Sequence, residues 1–133
     1  VLRTVGGFSP LFYHYGEDPH YANRIKHHPY LIGYSPKVFG CHDRENRTIS
    51  HEVFLRSEQI YHLTEYANIN YSFKKAFGYS VLACVKKSLI ALVKGKAKTA
   101  GTYVIITTRL LKRTAEVRKF RKQSKLRNAN YLQ

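Results

Sequence analysis

The chain reads as a mainly α protein: an irregular, aromatic-rich N-terminal arm, about three helices and a basic C-terminal tail. Three observations predict this. Gly6, Gly7, Pro10, Pro19, Pro29, Gly33, Pro36 and Gly40 punctuate the first part of the chain every few residues, and no run between them keeps a strand or helix period for long. From His51 onward, apolar residues recur at helical spacing. The charge is also divided: residues 1–73 hold seven basic and seven acidic side chains, so residues 74–133, whose one acid is Glu116, carry the whole +15.

Residues 1–50 form the arm. Disordered segments have few aromatics, whereas this one holds Phe8, Leu11, Phe12, Tyr13, Tyr15, Tyr21, Tyr30, Leu31, Ile32, Tyr34, Val38 and Phe39. An extended arm of this composition is best explained by adhering to a neighbouring protein, since tyrosine packs its ring while its hydroxyl finds a polar partner. A loop-rich cap over the helices behind it is the other reading.

The helical domain spans 51–124. Ser50 is a fair N-cap and Glu52 sits in the first turn, where the helix dipole favours an acid. Val53, Ser57, Ile60, Tyr61 and Thr64 then share a face, which predicts a helix over 51–66. Asn68 and Asn70 break it, with Asn70 a candidate cap for the next. That next helix, over 71–98, is the longest. Val81, Leu82, Val85, Leu89, Leu92 and Val93 fall within about 120° of arc and form its expected packing face. Gly95 weakens its last turn and Gly101 is expected to end or bend it.

The third element, 102–124, is ambiguous at its start. Tyr103 to Thr108 is β-branched and would suit a strand, but Ile106, Leu110 and Val117 share one helical face. With no partner strand in view, the expectation is a helix with a possible non-helical start. Residues 125–133 form the basic tail.

Catalysis and metal binding find little support. The histidines His20, His27, His28, His42 and His51 and the lone nearby Cys41 lack the paired short spacings that zinc needs. The adjacent Cys41–His42 pair has no strand scaffold or nucleophile elbow to hold it. Residues 95–101 carry two glycines and two lysines, but not in the order of a phosphate-binding loop. No cofactor and no small-molecule substrate is expected. Two cysteines are too few for a disulfide framework and fit a reducing compartment.

A membrane span is disfavoured, because Lys86 and Lys87 interrupt the apolar window Phe77 to Val93. Spanning takes roughly 20 mostly apolar residues, and each central lysine costs about 2.5–3.5 kcal/mol. The window could instead lie on a membrane.

The basic tract is the strongest functional signal. Seven Lys and Arg crowd between Arg113 and Arg127 against Glu116, and like charges one turn apart repel unless phosphates relieve them. Phe120 and Tyr131 interleave and could stack on bases. The expected RNA contacts are Lys87, Lys94, Lys96, Lys98, Arg109, Lys112, Arg113, Arg118, Lys119, Arg121, Lys122, Lys125 and Arg127. The sequence therefore predicts a structural RNA-binding protein of a ribosome, with rRNA and neighbouring proteins as partners. Short basic chains with irregular arms suit organellar assemblies, so the mitochondrial matrix, or the matrix face of the inner membrane, is the expected compartment. The alternative is an accessory subunit of an inner-membrane respiratory or ATP-synthase complex, whose lysines would meet anionic lipid. A filament-lining or chromatin protein is a third option. Charge favours RNA: lipid recognition needs only about 4–8 basic residues, well below the excess present.

Overall fold

The computed structural model describes residues 1–12, 15–33, 35–37 and 50–127. Cys41, His42, Val38, Phe39 and Tyr131 lie outside them, so the readings that rest on those residues do too. The described chain is helical, with no strand among the described residues: α1 (Leu2–Val5), α2 (Glu17–His27), α3 (His51–Ala67), α4 (Phe73–Val93), α5 (Ala97–Lys112) and α6 (Thr114–Ser124).

Helices α3, α4 and α5 form an up-down-up bundle. Glu58 of α3 meets Lys87 late in α4, while Tyr66, further along α3, meets Phe73 and Phe77 at the start of α4. Those two helices therefore run antiparallel. His51 meets Thr102 and Gln59 pairs with Arg109, so α3 and α5 run in the same direction. Helix α6 crosses the end of the bundle where α3 finishes, burying Val117 in a core with Leu63, Tyr66, Val81, Cys84, Ile106 and Leu110.

Local chemistry fixes the ends. Ser50 caps α3 by accepting from the Val53 N–H at 3.2 Å. Ser72, rather than Asn70, caps α4 by accepting from the Lys75 N–H at 3.2 Å; the Asn70 amide donates instead to the Asn23 carbonyl. The turn after α4 comes at Gly95, whose φ of 69° suits a residue without Cβ. Gly101 lies inside α5 and ends nothing. Residues 102–108 are helical, which resolves the strand-like TYVIITT. The Thr102, Thr107 and Thr108 hydroxyls donate to the carbonyls of Lys98, Tyr103 and Val104 one turn back, and burial of Tyr103 and Ile106 outweighs the weak helix preference of β-branched residues. The element expected over 102–124 is two helices, which meet at Arg113.

The packing faces differ from those expected. Helix α4 buries Ala76, Ser80, Val81, Cys84, Ser88 and Ala91, while Leu82, Val85, Leu89, Leu92 and Val93 point outward. Helix α3 buries His62, Leu63, Tyr66 and Ala67 and leaves Val53 and Tyr61 exposed. Helices α5 and α6 bury the expected Ile106, Leu110 and Val117, whereas of the faces expected for α3 and α4 only Thr64 and Val81 are buried. In α4 a π-helical turn at Gly78–Leu82 shifts the register between its two halves.

The first thirty residues also depart from an extended arm. They contain α2, and Leu11 and Phe12 join the bundle core. The buried Arg24 guanidinium donates to the carbonyls of Val5 and Gly7, holding α1 on α2. Gly16 (φ 87°) starts α2, and a Cβ there would lie 2.7 Å from Ile60 and 2.8 Å from Phe12. That close approach seats the segment on α3. His28 contacts the Ser124 carbonyl at 3.3 Å, tying the end of α2 to α6.

His20 packs its ring on Phe12 with centroids 4.9 Å apart. Burial first, and the charge of Arg24 second, push its pKa from 6.5 down to about 3. The fold holds the neutral ring, so the unfolded chain takes the proton first. Stability is complete above 6.5 and falls as pH drops from there toward about 3. At about pH 5 the expected loss from His20 is about 2 kcal/mol. Urea melts of the wild type and His20→Gln at neutral and acid pH check this: the variant should lose less stability on acidification, and equal losses would contradict it.

Candidate nucleic-acid interface

The thirteen basic residues singled out by the sequence separate into two groups. Four are engaged within the fold. Arg121, on α6, is buried, and its guanidinium donates to the carbonyls of Tyr66 and Asn68 and, at 2.8 Å, to that of Tyr71. It therefore closes the turn between α3 and α4. Arg113 pairs with Glu116 at 2.7 Å and donates to the Leu11 carbonyl at 2.9 Å. Arg109 donates to Gln59 at 2.6 Å.

Lys87 sits in a polar knot in the bundle. It bonds Glu58 at 2.8 Å and His62 at 3.2 Å, and its ammonium lies against the rings of Tyr61 and Tyr103. Tyr103 also donates to Glu58, at 2.9 Å. Burial alone would raise the Glu58 pKa, but the bonds from Lys87 and Tyr103 and the Lys87 charge bring it below the usual carboxylate range. Burial, and then the charge of Lys87, lower His62. Nearby Cys84 is pushed up to about 12 by burial, so its thiol is not a nucleophile at neutral pH.

The other nine (Lys94, Lys96, Lys98, Lys112, Arg118, Lys119, Lys122, Lys125 and Arg127) are exposed. Lys94, Lys96 and Lys98 surround the turn from α4 to α5, at one end of the bundle. At the opposite end, Arg118, Arg121, Lys122 and Lys125 converge with Phe73 around a concavity of about 470 Å³ that no acidic residue lines. The Arg118 guanidinium lies 4.4 Å over the Phe73 ring and that of Arg121 lies 5.9 Å from it. Helical spacing on α6 brings the four cations to one side, since residues 118, 121, 122 and 125 follow the three- and four-residue intervals of one face.

Phe73 escaped the sequence reading. It precedes Arg118, the first cation of the concavity, by forty-five residues, and only the crossing of α6 over the start of α4 brings them together. Its place in the first turn after the Ser72 cap was the one available signal. A second cavity, of about 490 Å³, has an apolar floor of Leu11, Phe12, Leu55, Ile60 and Leu63 and a rim bearing Arg56, Arg109 and Arg113. Among the described residues, no group of three or more His, Cys, Asp or Glu side chains converges in metal-binding geometry. The histidines considered as ligands have other contacts: His20 packs on Phe12, His28 meets Ser124 and His51 meets Thr102.

No protein-family model, curated protein or solved structure matches this chain.

The two groups of cations should respond differently to truncation. Arg121→Ala strands three carbonyls and should cost about 3 kcal/mol, judged by the worth of buried bonds to a charged donor. Lys122→Ala and Lys125→Ala should stay within about 0.5 kcal/mol of the wild type, as exposed substitutions do. Thermal melts of the three variants check this, and equal melting points would contradict the assignment of Arg121.

Proposed function

We propose that the chain is a structural RNA-binding subunit of a mitochondrial ribosome. The observation that carries this reading is the acid-free concavity at the crossing of α6 and α4, where four cations and an aromatic ring meet. A phosphate entering it would find three exposed cations, Arg118, Lys122 and Lys125, and a fourth, Arg121, held in place by the backbone. Rigid placement of Arg121 reduces the ordering cost of binding. Arg118 already stacked on Phe73 offers a flat cationic platform on which an unpaired base can pile. Contacts of this kind go to backbone phosphate and to any base with a π-face, so recognition would be by shape and charge.

The rest of the molecule supports assignment to a large assembly. Phe8, Tyr15, Leu31 and Ile32 remain more than half exposed, which offers apolar surface to adjoining proteins. A chain that bound RNA alone would have little use for it. The mitochondrial matrix is proposed because a short, basic chain of this kind suits an organellar assembly.

Binding to a ribosomal RNA fragment should weaken steeply with salt, because each neutralised phosphate releases counterions. Replacing Arg118, Lys122 and Lys125 together by Ala should reduce the slope of log affinity against log salt by about 2–3 units. Arg121 is left out of that variant because its loss disturbs the fold. An unchanged slope would contradict the reading, as would sedimentation of the tagged protein at the same position with and without ribonuclease.

A further inference from the structure

Helix α4 has an apolar window of mean hydropathy 1.6, yet only 33% of that window is buried inside the protein. A core helix would hide most of it. The outward residues Leu82, Val85, Leu89 and Leu92 lie within about 80° of arc. On α5, Val104 and Leu111 occupy a matching stripe, and all six residues are between 40% and 59% exposed.

The two stripes lie side by side. Going round α4, Lys87 faces α3, Ser88 faces α5 and donates to the Ala100 carbonyl at 3.1 Å, and Val85 and Leu92 come next. Going round α5, Thr102 faces His51 of α3, Ala100 faces α4, and Val104 and Leu111 come next. Both stripes are therefore on the side of the hairpin turned away from α3. Gly78 and Gly101 border open space, with nothing within 4 Å of a Cβ placed at either. No packing inside the molecule accounts for these glycines.

Charge decides what covers this face. Residues 66–115 contain no acid at all. Lys74 and Lys75 stand at one end of α4, Lys94 and Lys96 at the other, and Lys86 on its flank. An apolar strip without charge cannot bind nucleic acid. A second copy would set two strongly basic hairpins against each other. An anionic bilayer surface fits both features, as apolar side chains enter the acyl boundary and lysines at the rim meet head groups. Spanning is excluded by Lys87, which the bundle holds against Glu58; the hairpin lies flat.

We propose that the outer face of the α4–α5 hairpin docks on an anionic membrane surface. This inference stands independently of RNA binding. If both hold, the chain moors a ribonucleoprotein to a bilayer.

Flotation of the full chain with vesicles of equimolar phosphatidylcholine and phosphatidylglycerol tests it. The wild type should float with these vesicles and much less with phosphatidylcholine alone. A variant carrying Leu82→Ser, Leu89→Ser and Leu92→Ser should bind at least about tenfold more weakly while keeping the wild-type salt slope for RNA. The chain has no tryptophan, so Leu89→Trp supplies a reporter whose emission should shift to the blue when vesicles are added. Equal flotation of the triple variant would reduce the contact to lysine adsorption and overturn the proposal. So would a wild type that does not float, or one that is a dimer where the triple variant is a monomer.

Discussion

The close seam between α4 and α5 is the constraint on which the rest of the molecule depends. Ser80, Cys84, Ser88 and Ala91 form the buried side of α4, and residues this small let two backbones approach as larger ones would not. The hydroxyls take part without leaving unpaired groups: Ser80 donates to the Ala76 carbonyl at 2.7 Å and Ser88 to the Ala100 carbonyl at 3.1 Å. Once the small side faces inward, helical geometry turns Leu82, Val85, Leu89 and Leu92 outward. Apolar burial is worth about 25 cal/mol per Å², so a helix rotated to hide the leucines would gain stability in isolation. The observed rotation gives that up. It gains the Lys87–Glu58–Tyr103 knot and leaves an apolar face for something outside the chain.

Arginine and lysine do different work here. Arg24, Arg113 and Arg121 each donate to backbone carbonyls at helix ends and in the turns beside them, at Val5 and Gly7, at Leu11, and at Tyr66, Asn68 and Tyr71. A planar, weakly hydrated fork can satisfy several carbonyls at once, whereas a compact ammonium holds its water more tightly. The lysines remain outside, apart from Lys87 in its knot. The concentrated positive charge thus serves two ends. Part of it fastens the loops over the bundle, and the exposed remainder forms the surface field that attracts polyanions.

Much of this was legible in the sequence, and the failures have physical causes. The helix at 51–66 was readable from the Ser50 cap, and the long helix after it from its periodicity. Periodicity located an apolar stripe on α4 but could not say that the opposite, small-residue side packs. Large aliphatics usually form the core, so periodicity alone turns the stripe inward. Helix α2 was missed because Gly16 and Pro19 looked like breaks. Gly16 provides a left-handed start, and Pro19 stands in the first turn, where a missing N–H costs nothing. Glu17 and Asp18 at its beginning and Arg24, Lys26 and His27 at its end were the available signals. Arg121 could not be told from its neighbours on α6, since only the crossing over α3 and α4 assigns it to the backbone.

The molecule keeps two separate outward surfaces, a charged concavity at one end of the bundle and an uncharged face along the α4–α5 hairpin. Hydroxyl-radical footprinting of the full chain, alone, with RNA and with anionic vesicles, separates the two surfaces. RNA should shield Phe73 and leave Leu82, Leu89 and Leu92 open to oxidation, while vesicles should do the reverse. Shielding of the same side chains by both ligands would contradict that separation.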